Sequence, residues 1–264
     1  LVSPELALEV AVRGASAALG IGFLEQLHVG HRSFASSGLY AGNVIRLIGA
    51  PEFTERFGTV PLRLVLTVGA ACGLLGLFLN PYEGAGRLIL ALTFACAVVS
   101  RFCRIMGGDG AEQMAILTLF AGCLAILPGP DASTTLLAVF FIGAQLVLSY
   151  FTAGFVKAVS PTWRSGTAIG LVMCSEAYGE RWIGSFVESR DALSRLLTRA
   201  VFVGECLFPL ILIAPREVAL AMLVAGLVFH VATAVTMGLN TFMIAFPATL
   251  LCVLVTVENV SPWW

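Results

Sequence analysis

The sequence predicts an all-α fold, a polytopic transmembrane helical bundle of about eight spans with two interfacial or re-entrant excursions. Three observations carry that expectation. Of the 264 residues, 58% are hydrophobic and only 12% are charged, half the charge that soluble domains usually carry. The mean hydropathy is +0.94. Several apolar runs approach the roughly 20 residues that a helix needs to cross a bilayer.

The first segment, residues 5–27, is interrupted by Glu9 and Arg13. They lie four apart, so they can pair on one helical face, which lowers the cost of inserting them. Residues 28–58 are too polar to span and predict a short interfacial helix near 39–49. A second span covers 60–80, where Gly69 and Gly73 have the small-xxx-small spacing of close helix packing. The turn "NPYEG" leads to a third span at 86–103. The stretch "RFCRIMGGDGAEQM" separates it from a fourth at 111–127, and "PGPD" precedes a fifth at 133–158.

Residues 160–193 form the second polar excursion, in which "SEAYGERWIGSFVESR" predicts an interfacial helix or a lid. Three more spans follow at 195–214, 218–238 and 241–257. The pattern contains no repeat or linker, so a single domain is expected over 1–264. The three loops at 28–59, 104–110 and 160–194 share one side and hold seven of the fourteen arginines, against little beyond Arg87 and Arg216 opposite. The positive-inside rule makes that side cytoplasmic, with both termini outside. The chain starts without a methionine or a basic leader, so a short preceding segment is expected to be missing.

A net charge of -1 and the lack of a basic stripe exclude a nucleic-acid partner. The seven cysteines are scattered through apolar runs with no C-x-x-C pair. They read as small buried hydrophobes, neither metal ligands nor a disulfide frame. His28 and His31 share a loop without a third ligand, so no metal site is assigned.

Lys157 is the one lysine among fifteen basic residues, and it ends the fifth span. Residues four apart share a helix face, so Gln145, Ser149, Ala153 and Lys157 form a stripe, with Tyr150 and Gly154 beside it. Two readings stay open for the amine. It can snorkel to the interface, or it can work in a pocket as a base or ion-pair partner. A base near neutrality needs its pKa brought from about 10.4 to about 7, roughly 4–5 kcal/mol, a shift that full burial can supply. A neighbouring carboxylate acts the other way and keeps the cation.

His230 sits in the middle of the seventh span with Thr233 and Met237 near its face. It serves either as a packed, hydrogen-bonded histidine or as a proton-transfer group. Glu205 is costly within the sixth span. It pairs either structurally with an arginine such as Arg199 or Arg13, or functionally beside Lys157 or His230. Pro209, four residues on, is expected to kink this helix and open a cavity. "GGDGAEQ" lacks the lysine ending of a phosphate loop. Asp109 with Glu112 reads as a helix cap. Its exposed amides, with Arg101 and Arg104 adjacent, are also a candidate hold for an anion or lipid headgroup.

The stretch "YFTAGFVKAVSPTWRSGTAI" resembles the Tyr-Phe-x-Ala-Gly-x-x-Lys…Trp…Gly signature of the vitamin K-dependent γ-carboxylase-like membrane family, whose bacterial members are called HTTM domain proteins. "AVRG", "GGDGAEQ" and "ECLFPLILIAPREVALAMLVAGLVFHVATAVTMGLNTF" are similar to further family stretches in the same order, so the resemblance covers nearly the whole chain. In the animal carboxylase one lysine deprotonates vitamin K hydroquinone, and Lys157 stands at the matching position. The spacing to Trp163 is one residue longer here, and the histidine near "RIMGGDG" is absent. The resemblance therefore implies an inherited pocket for a quinone-like or lipid molecule rather than vitamin K-dependent carboxylation.

It assigns Lys157, His230 and Glu205 as candidate catalytic residues. Tyr150, Gly154, Gln145, Trp163, Arg104 and Asp109 are its candidate cofactor contacts. The setting it implies is a multi-pass protein of the bacterial inner membrane, in contact with lipid. The alternative is a non-catalytic subunit of a larger complex, or a maturation or export partner of a secreted peptide. A transporter is disfavoured by the lack of a visible repeat. Convergence of Lys157, Glu205 and His230 on one cavity separates the pocket reading from the subunit reading.

Overall fold

The computed structural model describes residues 2–29, 59–103, 108–175 and 179–261. Among these the chain is an all-α polytopic bundle without strands. Its helices are α1 (Pro4–Val29), α2 (Thr59–Phe78), α3 (Gly84–Cys103), α4 (Gly110–Ile126), α5 (Ala132–Val159), α6 (Pro161–Ser165), α7 (Ala168–Cys174), α8 (Arg181–Glu188), α9 (Asp191–Leu207), α10 (Arg216–Met237) and α11 (Asn240–Val260). Six segments are long and apolar enough to cross a membrane, and Leu62–Phe78 and Gly110–Ile126 are shorter apolar helices. The eight expected spans thus correspond to eight apolar helices. The interfacial helix expected near 39–49, like Arg104 and His31, lies outside the described residues.

Where the sequence reading expects one domain, the described residues divide into two compact units. One is Pro4–Ala138; the other is the described part of Val139–Trp264 with Val2 and Ser3.

In the first unit α1 packs against α2 and α4. The spacing at Gly69 and Gly73 works as expected. A Cβ on Gly73 would fall 2.7 Å from Gly20 Cα, and one on Gly69 would strike the Phe23 ring. Small residues therefore let the two backbones meet, which in lipid replaces the missing hydrophobic drive. The Arg13 guanidinium pairs with Glu9 at 2.7 Å, as their spacing suggests. Asp109 caps α4 by accepting the Glu112 amide at 2.8 Å.

At the head of α5, Asp131 accepts the Thr134 hydroxyl at 2.6 Å and the Thr134 and Ser133 amides. Those bonds hold its carboxyl below the usual carboxylate range. The preceding turn uses Gly129 at φ +118°, a backbone region that side chains rarely tolerate.

The second unit contains most of α5 and the helices α6 to α11. The excursion at 160–193 resolves into α6, α7 and α8. Gly166 (φ +86°) ends α6, and its carbonyl accepts the Ser194 and Thr198 hydroxyls of α9 at 2.9 and 3.1 Å. Proline cannot donate a helix hydrogen bond, so the chain passes at Pro209 from α9 into a 3₁₀ turn, Phe208–Ile213. Gly238, left-handed at φ +68°, closes α10, and α11 begins two residues later and packs back along it. No disulfide joins any of the seven cysteines, and Cys72, Cys103, Cys123 and Cys252 are buried.

Candidate functional site

A chamber of about 470 Å³ lies within the second unit. Its wall includes Lys157 from α5, Glu205 from α9 and His230 from α10, together with Tyr150 and Trp163. The three candidate catalytic residues are thus brought together. The rest of the lining is mostly aliphatic and aromatic. Its volume is within the range, about 300–1,000 Å³, of sites that enclose small organic molecules.

The lysine end is an ion pair. Lys157 Nζ donates to Glu205 Oε1 at 2.9 Å and to Oε2 at 2.7 Å, with side-chain exposures of 23% and 8%. The Trp163 ring centroid is 5.3 Å from the same nitrogen, a cation–π contact. Of the two arrangements set by the sequence, the lysine with a carboxylate beside it is the one present.

The pair exists because α5 and α9 nearly touch at Gly154. A Cβ there would sit 2.5 Å from Cys206 N and 2.8 Å from Glu205 Cβ. Backbone cannot yield as a flexible side chain can. Alanine gains about 1 kcal/mol in helix propensity over glycine, but inserting a methyl into a full contact costs about 1–3 kcal/mol. Gly154→Ala is therefore expected to lower the thermal midpoint of the detergent-purified protein. A raised midpoint would contradict the close approach.

The histidine end is an aromatic box. Tyr150 Oη and His230 Nε2 are 2.8 Å apart, and both residues are buried. The Tyr150 ring stacks on Phe208 at 4.0 Å, His230 on Phe246 at 4.7 Å, and Phe246 on Phe242 at 5.4 Å. Gly226 leaves room for the phenol, since a Cβ there would lie 3.0 Å from Tyr150 Oη. His230 Nδ1 is buried without a hydrogen-bond partner among the described residues.

This arrangement leaves a donor unused. If the phenol donates to Nε2, the neutral imidazole carries its proton on Nδ1, which has no acceptor among the described residues. If Nε2–H donates to the phenol, the phenol proton has no acceptor among them. Buried donors are rarely left so.

Of the α5 stripe, Ser149, Ala153 and Lys157 line the chamber, but Gln145 does not. Its carbonyl accepts the Ser149 hydroxyl at 2.8 Å, and it sits about two turns before Ala153 on the same face, past the end of the chamber wall. Asp109 belongs to the first unit, where it caps α4. Glu205 does not pair with Arg199, which lies on another face of α9.

Sequence reasoning misses Phe208, Phe246 and Gly226. The i, i+4 spacing of Phe242 and Phe246 is the available signal. On the outer wall, Ile183 and Val187 of α8 face the chamber, whereas Trp182 and Phe186, also four apart, are exposed. That division agrees with the expected interfacial helix. Among the described residues no group of His, Cys, Asp or Glu could hold a metal ion.

No protein-family model matches the chain, and neither a curated protein nor a solved structure is significantly similar to it.

Proposed function

We propose that the second unit is an intramembrane pocket for an amphiphile, quinone-like or lipidic, on which the chain acts as an enzyme-like protein. The observation that carries this reading is the convergence of Lys157, Glu205, Tyr150 and His230, from three helices, on one otherwise apolar chamber. The same convergence favours it over a non-catalytic subunit. The resemblance of the Lys157 stretch to the γ-carboxylase-like family supports it and suggests the bacterial inner membrane as its setting.

The chemistry follows from the pair. Opposite charges side by side leave the chamber without net charge at that end, which suits an uncharged ligand better than an anion or a cation. The unused donor of the Tyr150–His230 pair suits an oxygen acceptor such as a carbonyl or ether. A paired lysine can still serve as a base. When a proton moves from Nζ to a Glu205 oxygen, the ion pair becomes a neutral amine and a neutral acid. Net charge is unchanged, and dry surroundings favour the neutral form more than water does. The free amine can then accept a proton from a ligand hydroxyl, with Glu205 holding the first proton.

Native mass spectrometry of protein extracted from membranes tests the reading. A small amphiphile should be retained by the parent chain. It should be lost from Ala153→Trp, which fills the chamber and leaves the ion pair intact, and from Lys157→Met/Glu205→Leu, which removes the pair as a unit. Equal retention by all three proteins, with helicity unchanged, would defeat the proposal.

A further inference from the structure

A second charged group in α9 lacks the solution that Glu205 found. Helix α9 and its 3₁₀ extension, Asp191–Ile213, form one of the membrane-length apolar segments. Arg199 lies eight residues from its start, about 12 Å along the axis, and is exposed. It has no ion-pair or hydrogen-bond partner among the described residues. Arg195, one turn earlier, is 58% exposed, and its contact with Asp191 is long, at 3.8 Å between exposed groups. A guanidinium at such depth is costly without an anion, and among the described residues Asp191 reaches Arg195 alone and leaves Arg199 without one.

The two arginines, with Asp191 beside them, border an open groove of about 640 Å³ that continues along Leu196, Ala200 and Val203. One end of the groove therefore carries two cations against one carboxylate, and the other is aliphatic. The Arg195 stem is also fixed in place. It packs on the turn at Gly166, where even a Cβ would fall 2.6 Å from Arg195 Cγ. Arg190 does not join them, because its guanidinium lies 3.8 Å from the Phe186 ring centroid and donates to the Phe186 carbonyl.

We propose that Arg195 and Arg199 hold the phosphodiester of a membrane glycerophospholipid whose acyl chain lies along Leu196, Ala200 and Val203. Guanidinium groups bind phosphate oxygens through paired, charge-assisted hydrogen bonds. Basic pockets at the ends of membrane helices are suited to anionic headgroups. The bilayer supplies phosphate at the depth to which an arginine can extend from Arg199. This site is separate from the chamber of Lys157, on a different face of the same helix.

The test uses the full chain in mild detergent and native mass spectrometry with two probes, dioleoylphosphatidylglycerol and dioleoylglycerol, which share tails and differ in the phosphate. The parent chain should retain the phospholipid about tenfold better than the neutral lipid. Arg195→Gln/Arg199→Gln should lose that preference, and Lys157→Met/Glu205→Leu should keep it. Arg199→Gln alone, at an exposed position, serves if the double variant does not fold, and it should lower the preference severalfold. Equal retention of the two lipids, an unchanged preference in the arginine variants, or displacement of the phospholipid by millimolar inorganic phosphate would each overturn the proposal. The last would mark a free-anion site instead.

Discussion

Glu205→Ala is expected to destabilise the fold by about 3 kcal/mol. Removing one partner of a buried ion pair costs about 3–5 kcal/mol, because the other charge stays behind without compensation. Here the survivor is Lys157, whose side chain is 23% exposed. Some water reaches it, so the lower end of that range applies. The companion Lys157→Met/Glu205→Leu should recover most of the loss, since well-packed apolar residues replace an ion pair at little or no cost. Thermal or denaturant unfolding in a fixed detergent measures both. If Glu205→Ala alone were as stable as the parent, the two hydrogen bonds at 2.7 and 2.9 Å would not describe the protein in solution.

The pairing of Glu205 shows where sequence reasoning reaches and where it stops. Lys157 and Glu205 are 48 residues apart, and their meeting depends on the rotation of α9 against α5. That rotation is fixed by a backbone contact at Gly154, and no periodicity within either helix reports it. Arg199, a candidate partner from the sequence, is set aside by helix geometry alone. Six residues at about 100° each put it about 120° around the helix from Glu205. The Glu9–Arg13 pair and the Gly69–Gly73 face are legible because both depend on spacing within one helix. Span lengths are legible for the same reason: hydropathy is local, and the break at Pro209 follows from one residue's missing N–H.

The site is half legible. The α5 stripe places Ser149, Ala153 and Lys157 on one wall because a helix repeats its faces. It carries Gln145 along with them, since periodicity alone does not say where along a face the chamber ends. Asp109 reads correctly as a cap, because its bond to the Glu112 amide joins residues three apart in one turn. Of the aromatic box only the i, i+4 spacing of Phe242 and Phe246 is legible, because Phe208, Phe246 and Gly226 come from three separate elements and look like ordinary membrane residues.

Tyr150→Phe is the second large expectation, and it bears on the histidine end alone. The substitution keeps the ring that stacks on Phe208 and removes only the oxygen 2.8 Å from His230 Nε2. Since Nδ1 already lacks a partner among the described residues, the imidazole would then have neither nitrogen satisfied. A buried polar group left in that state costs about 1–3 kcal/mol. His230→Leu alone strands the phenol of Tyr150 in the same way. The double variant Tyr150→Phe/His230→Leu removes both groups together and should be less destabilised than the sum of the single changes. The expected coupling is about 1 kcal/mol or more in a double-mutant cycle. Strict additivity would mean that the two side chains do not interact. Amphiphile retention gives an independent readout, because either single variant keeps one unused donor, the imidazole N–H or the phenol O–H, and the double variant keeps none. Tyr150→Phe/His230→Leu should therefore weaken retention by about tenfold, the equivalent of one hydrogen bond of about 1.4 kcal/mol, while the Lys157–Glu205 pair remains in place.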